Sequence, residues 1–202
     1  MIGPVSRNRE HVYYDPLFPL WEFYPDGIHP SVALISPNDL PDPYRALLVH
    51  DKDMTPTLER HHGGPISLRL LGSQRSGSVY KREVILVLEP VGKPVEFGAI
   101  RIHLSRFPLE ARMDIVENRM PLGTILKKHR VEHKCRPSAF FKAAPDTLMR
   151  EALASGSVPF LFGRCNTMTD GRGLPLAEVV EILPPAEMPA AQGALDVNCQ
   201  NL

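Results

Sequence analysis

Five consecutive aliphatic residues, Val84, Ile85, Leu86, Val87 and Leu88, follow directly on Lys81, Arg82 and Glu83. A strand with one wet face alternates apolar and polar residues, whereas an unbroken run reads as a strand covered on both faces, inside a sheet. The run therefore carries Arg82 to the edge of a core. A guanidinium there is costly unless it meets an anion, and its planar fork suits a carboxylate held by two parallel hydrogen bonds. On this stretch alone two partners stay open: an internal acid such as Glu83, or an anion that comes from outside.

The chain has 202 residues, enough for one domain with a sizeable core. Its 23 basic and 23 acidic residues cancel. That argues against a general attraction to nucleic acid or to an anionic membrane, so anion recognition must be local. No apolar run reaches the length of a membrane span and the N-terminus has no signal-peptide pattern, which points to the cytoplasm. Cys135, Cys165 and Cys199 are far apart without a CxxC pair, against both a disulfide framework and a cysteine zinc site.

Proline punctuates the ends. Residues 1–42 begin with a stretch of about 40 residues that mixes Pro4, Pro16, Pro19, Pro25, Pro30 and Pro37 with Tyr13, Tyr14, Phe18, Trp21, Phe23 and Tyr24. Such a segment cannot make a long helix; it either wraps over the body in extended form or serves as an arm that docks a peptide or a second copy. Residues 43–185 form the folded domain, and 186–202 a tail of weak structure. Within the domain the pattern predicts two short helices over 43–60, broken near Asp51 to Asp53 and capped by Asp53 or Thr55. A strand from Ile66 turns through Gly72 to Gly77 into the Arg82 strand, and another runs from Phe97 to Leu104. A helix opens at Pro121, a break falls at Pro137, and Asp146 caps a further helix. Strands at Pro159–Met168 and Leu174–Leu183 flank the turn TDGRG. Five or six strands in hairpins make an α+β fold: a single antiparallel sheet with helices packed over it.

The sequence contains no GxGxxG, GxxxxGK[ST], GxSxG or HExxH, which removes the mechanical parts of nucleotide, hydrolase and zincin chemistry. His50, His61 and His62 do not converge as metal ligands must, and His133 and Cys135, two apart, do not face each other as a base and nucleophile. No metal and no cofactor are expected. Glu178 stands out in PLAEVVEILP, flanked by Leu176 and Val180 on its own strand face, where a carboxylate needs a partner. Arg82 and Glu178 thus imply one shared interior site. Glu181, on the opposite face, is the competitor; if it points inward, the register is off by an odd number of residues.

The succession DMTPTLER (53–60), KREVIL (81–86), MPLGTIL (120–126), LFGRCNTM (161–168) and DGRGLPLAE (170–178) resembles the chorismate pyruvate-lyase family over about residues 43 to 185. The resemblance implies the chorismate lyase-like fold, with Met54, Arg82, Leu122 and Glu178 contacting the ring, Gly123 beside Leu122, and Arg164 either as a second cation for the enolpyruvyl carboxylate or as one half of a structural salt bridge. The implied reaction releases pyruvate from chorismate to leave 4-hydroxybenzoate, without metal or cofactor; an aromatic product supplies the driving force, and the protein positions the substrate and excludes water. Arg82 would grip the ring carboxylate and Glu178 the ring hydroxyl, between apolar walls from Met54 and Leu122. Cys165, Asn166 and Ala177 depart from the family pattern, and His103 is placed to face the pocket. The alternatives are a non-catalytic domain of the same fold that binds a small aromatic acid, as in effector domains of bacterial regulators, or an enzyme acting on a related cyclic enol ether. No helix-turn-helix is legible in the first 40 residues, which favours the enzyme.

Overall fold

The computed structural model describes Trp21, Glu22, Tyr24 and residues 30–186. Seven described strands, β1 (Val32–Leu34), β2 (Ile66–Ser76), β3 (Val79–Leu88), β4 (Lys93–His103), β5 (Lys134–Ala143), β6 (Leu161–Thr169) and β7 (Pro175–Leu183), form one antiparallel sheet in the order β1-β5-β6-β7-β4-β3-β2. Five helices pack on it: α1 (Tyr44–Leu48), α2 (Met54–His62), α3 (Leu109–Glu117), α4 (Leu122–Lys128) and α5 (Thr147–Leu153). The expected α+β architecture, a single antiparallel sheet with helices over it, is the one observed.

The aliphatic run of β3 lies between β2 and β4 and is covered on both faces, as its lack of alternation requires. Ile85 and Val87 join Phe97, Val180, Ile182 and Phe141 under α5, with Trp21 and Tyr24 packed against them. Val84 and Leu86 point to the other face, toward α1 and α2, where Leu48, Met54 and Leu58 are buried. Farther along that face, Ile100, Ile102 and Val179 lie under α3 and α4. Each such aliphatic side chain contributes about 1.5–3 kcal/mol by leaving water. The remaining expectations for residues 1–42 and the tail fall mostly outside the described residues.

β1 and β5 were not foreseen. Pro137 reads as a break, yet it lies within β5, at a register shift between Pro137 and Ala139. β1 covers β5 only along Phe141 to Ala143, so the outer edge at Pro137 has no ladder to which a missing N–H matters. Asp146 caps α5 as expected, its Oδ1 accepting from the Met149 N–H at 2.8 Å. Asp53 precedes α2 but makes no cap bond, because its carboxylate is engaged elsewhere.

Candidate functional site

Arg82 is 1% exposed, and the strand parity of β3 puts it on the face that α3 and α4 cover. Glu83 lies on the opposite face, so the adjacent acid is no partner for it. Its guanidinium instead donates to the Ile115 carbonyl at 3.4 Å, to Asn118 Oδ1 at 3.2 Å and to the Met120 carbonyl at 3.4 Å. These are long bonds to neutral oxygens. The Nε–H is buried without an acceptor, and among the described residues no carboxylate pairs with the group. Burial pulls the Arg82 pKa down to about 10, the signature of a desolvated cation that lacks a countercharge.

The guanidinium borders a cavity of about 60 Å³. Val84 and Leu86 on β3, Gly98 and Ile100 on β4, and Val179 on β7 form its floor; Met54 from the start of α2 and Pro121, Leu122 and Gly123 from the start of α4 form its lid. Gly123 lets the two lid helices approach, since a Cβ there would sit 3.2 Å from Thr55 Oγ1 and 3.6 Å from the Asp53 Cβ. Met54, Arg82, Leu122 and Gly123, all singled out from sequence, thus meet around one space.

Glu178 does not. Ile100 stands opposite Val179, and Arg101 opposite Glu178, so Glu178 shares its face with Arg101 and not with Arg82. It binds His103, whose Nε2 lies 3.1 Å from Glu178 Oε2, and this largely buried pair occupies the sheet face away from the cavity. His103 therefore does not face the cavity either. The carboxylate that lines it from β7 is Glu181, three residues on, which corrects the sequence register by an odd number.

Arg164 is likewise not a free cation for a ligand. It is fully buried, paired with Glu181 through Nε, and donates to the carbonyls of Leu48 at 2.9 Å, His50 at 2.8 Å and Lys52 at 3.2 Å. Burial alone would lower its pKa, but Glu181 more than offsets this and the net shift is upward. Arg164 thus fastens the α1–α2 connection, just ahead of Met54, onto β6.

Glu96 is the cavity residue that sequence reading missed. Leu86 pairs with Glu96 and Arg82 with Ile100, so Glu96 and Arg82 share a face about four residues apart along the strand, roughly 13 Å. The parity of β3 and β4 was the available signal. Burial first, and then the Glu181 carboxylate, push the Glu96 carboxyl well above its usual 4.5, against the pull of Arg164. Its Oε2 has no partner among the described residues. A carboxyl that keeps its proton is a hydrogen-bond donor, and Glu96 is one of the residues that line the cavity.

Stability carries the sign of that shift. The folded state keeps a proton that the unfolded chain releases above about 4.5, so this contribution is complete below 4.5 and is lost as pH rises toward the folded-state pKa. The Glu96→Gln variant is expected to remove a slope of up to about 1.4 kcal/mol per pH unit, measured by urea denaturation between pH 5 and pH 8.

A second group of side chains assembles behind the lid. His133 Nε2 lies 2.8 Å from Asp53 Oδ1, and the Cys135 thiol donates to the same oxygen at 3.2 Å. The hydrogen bond to Asp53, followed by that to Cys135, raises the His133 pKa to about 10. Burial would raise Asp53, but the bonds from His133 and Cys135 outweigh it and hold the carboxyl low. His133 and Cys135, which the sequence reading kept apart, do meet, because both turn to a third residue about 80 positions away.

No family model and no curated protein matches the sequence. Solved structures do match. PhnF from Mycobacterium smegmatis is 12% identical, with a TM-score of 0.54 over 70% of this chain and 67% of that one. The effector domain of the same protein gives 12% identity and a TM-score of 0.51 over 68% of this chain and 91% of that one. A GntR-family transcriptional regulator from Bacillus cereus gives 10% identity and a TM-score of 0.43 over 61% and 94% of the two chains. Among the described residues no helix is long and apolar enough to cross a membrane. At such low identity the likeness speaks for the fold alone, a chorismate lyase-like sheet that this chain shares with the effector domain of PhnF.

Proposed function

We propose that this chain is a ligand-binding domain for a small monocarboxylic acid, held by Arg82 in the cavity under Met54 and Leu122 without being turned over. The observation that carries the reading is the buried Arg82 guanidinium with an unpartnered Nε–H and no carboxylate beside it. A carboxylate ligand would supply the missing charge through two charge-assisted bonds. The likeness to an effector domain supports binding as the role.

The charge balance favours one carboxylate over two. Among the described lining residues Arg82 is the sole cation, while Glu96 and Glu181 stand at the other end. Chorismate carries two carboxylates, and Arg164, the residue expected to take the second, is already committed to Glu181 and three carbonyls. A dicarboxylate would press its second charge against two acids. The Glu96 carboxyl suits an oxygen acceptor at the far end of the ligand instead.

Size adds a condition. An apolar cavity of about 150 Å³ accommodates benzene; the present cavity, at about 60 Å³, is less than half of that. A ring-bearing acid therefore enters only if Met54 and Leu122 move apart, so binding and lid movement are linked. Gly98 leaves the space that exists: a Cβ there would sit 3.2 Å from Glu96 Oε1 and 3.4 Å from Val84 Cγ2. Gly98→Val is expected to abolish ligand binding while costing about 1–3 kcal/mol of stability, read by calorimetric titration beside thermal melting.

Chorismate lyase activity is the second reading, favoured by the meeting of Met54, Arg82, Leu122 and Gly123 at one cavity. Incubation with chorismate, following pyruvate and 4-hydroxybenzoate together, separates the two. The binding reading predicts no pyruvate above the uncatalysed rate. Equimolar release of both products, lost in Arg82→Met, would replace it with the lyase.

A further inference from the structure

We propose that Asp53, His133 and Cys135, with Asn166 beside them, form a binding site for a divalent transition metal of the zinc class, set between the cavity lid and β5. The three ligand atoms, Asp53 Oδ1, His133 Nε2 and Cys135 Sγ, all lie within 4.8 Å of one another. Tetrahedral zinc, with bonds of about 2.0–2.3 Å, sets its ligand atoms roughly 3.3–3.6 Å apart. The carboxylate stands 2.8 Å from the imidazole and 3.2 Å from the thiol, so small side-chain rotations open the position.

The histidine is oriented for ligation. Its Nδ1 lies 2.9 Å from the Val131 carbonyl, which fixes a proton on Nδ1 and turns Nε2 toward Asp53 and Cys135. A backbone carbonyl behind the non-ligating nitrogen is the usual support of a metal-bound imidazole. Without metal, the Nε2 and thiol protons both point at one carboxylate oxygen; a metal ion replaces those two protons and draws on the same three groups.

An independent observation comes from β6. Asn166 is 2% exposed and its Oδ1 has no hydrogen-bond partner among the described residues. Its side-chain amide hydrogen-bonds with Cys135, so the Asn166 amide group borders the same cluster. A buried amide oxygen without a donor is costly, and a metal ion or its bound water would satisfy it.

The donor set selects the ion. A thiolate, an imidazole and a carboxylate suit zinc or cobalt(II), and do not suit magnesium or calcium, which take oxygen ligands. Access is open: a surface groove of about 330 Å³ borders Asp53 and His133. Lys127 and Arg130 also line this groove, and their positive charge opposes a cation's approach, so affinity rests on the ligands themselves. Asp53 lines the Arg82 cavity as well, immediately before Met54. A metal held there pins the start of α2, and with it the lid.

The test is cobalt(II) titration of metal-free full-length protein, followed by its visible bands and by the near-ultraviolet thiolate-to-cobalt charge-transfer band. The expected result is one equivalent bound with the charge-transfer band present, and displacement by zinc. The band is expected to vanish in Cys135→Ser and to persist in Cys199→Ser and in the His61→Gln, His62→Gln double variant. Asp53→Asn, close to isosteric, is expected to weaken cobalt binding at least roughly 10-fold with the far-ultraviolet dichroism unchanged. A wild-type protein without the band, a band that survives Cys135→Ser, or unchanged affinity in folded Asp53→Asn would overturn the site and leave a hydrogen-bonded latch.

Discussion

Replacing Arg164 by methionine is expected to destabilise the protein by about 3–5 kcal/mol, the cost of leaving one half of a buried ion pair without its partner. The stranded group is Glu181, which is 5% exposed and stands beside the fully buried Glu96. Two carboxyls would then share a dry interior with no cation to separate them. The loss goes further than charge. Three carbonyls, of Leu48, His50 and Lys52, lose their donor, and these hold the connection between α1 and α2. Urea denaturation reads the change directly, and the double variant Arg164→Met with Glu181→Leu is expected to recover part of it, since a buried pair replaced by apolar groups is often close to neutral. A loss below about 1 kcal/mol in the single variant would mean that Arg164 does not hold the loop.

Arg82→Met is expected to behave in the opposite way. Its guanidinium makes three long bonds to neutral oxygens and none to an acid, and its Nε–H is unpartnered. Removing a desolvated cation costs little when no countercharge is stranded, so stability is expected to stay within about 1 kcal/mol of the parent. Ligand binding is expected to fall at least about 100-fold, because a charge-assisted hydrogen bond contributes roughly 1.5–3 kcal/mol and two are lost together. The two buried arginines thus separate cleanly. Arg164 is tied to an acid and three carbonyls, whereas Arg82 meets only neutral oxygens, as the proposed anion site requires.

The fold was legible where local signals agree. The run from Val84 to Leu88 announced an internal strand and Asp146 marked the start of α5; the hairpin of β2 with β3 was foreseen too, but Gly72 to Ser76, read as its turn, continue β2 past a register shift between Leu70 and Gly72, and the turn falls at Gly77 and Ser78. β5 was hidden because Pro137 is a breaker by local rules and is harmless only at an edge that the sequence does not reveal. Face assignment shows the same limit. Arg82 could be placed on a face of β3, but its relation to Glu178 passes through the pairing of β4 with β7, which joins positions some 80 residues apart. A slip of one residue there exchanges Glu178 for its neighbours, and the slip was made. Glu96 was within reach, since β3 and β4 form a hairpin whose register brings Leu86 opposite it. The cluster of Asp53 with His133 and Cys135 was not, because it depends on how the start of α2 lies over the start of β5.

A volume decides what the cavity accepts as much as its charges do. At about 60 Å³ it has room for a few waters or a very small acid, and the lid helices α2 and α4 must part for more. The parting is local. Arg164 fastens residues 48 to 52, and the Asp53 carboxylate is tied to His133 and Cys135, so Met54 is the first lid residue free of both anchors. Ligand size and the state of the Asp53 cluster therefore bear on one structural element.

The most direct measurement is isothermal titration of wild-type and Arg82→Met protein with acetate, benzoate and 4-hydroxybenzoate, with a thermal melt of each protein alongside. The account predicts saturable one-to-one binding of at least one of these acids to the wild type, a loss of at least about 100-fold in the variant, and nearly equal melting temperatures. A variant that binds as well as the parent, or one that melts far lower while the wild type binds none of the acids, would contradict it and make Arg82 a structural residue.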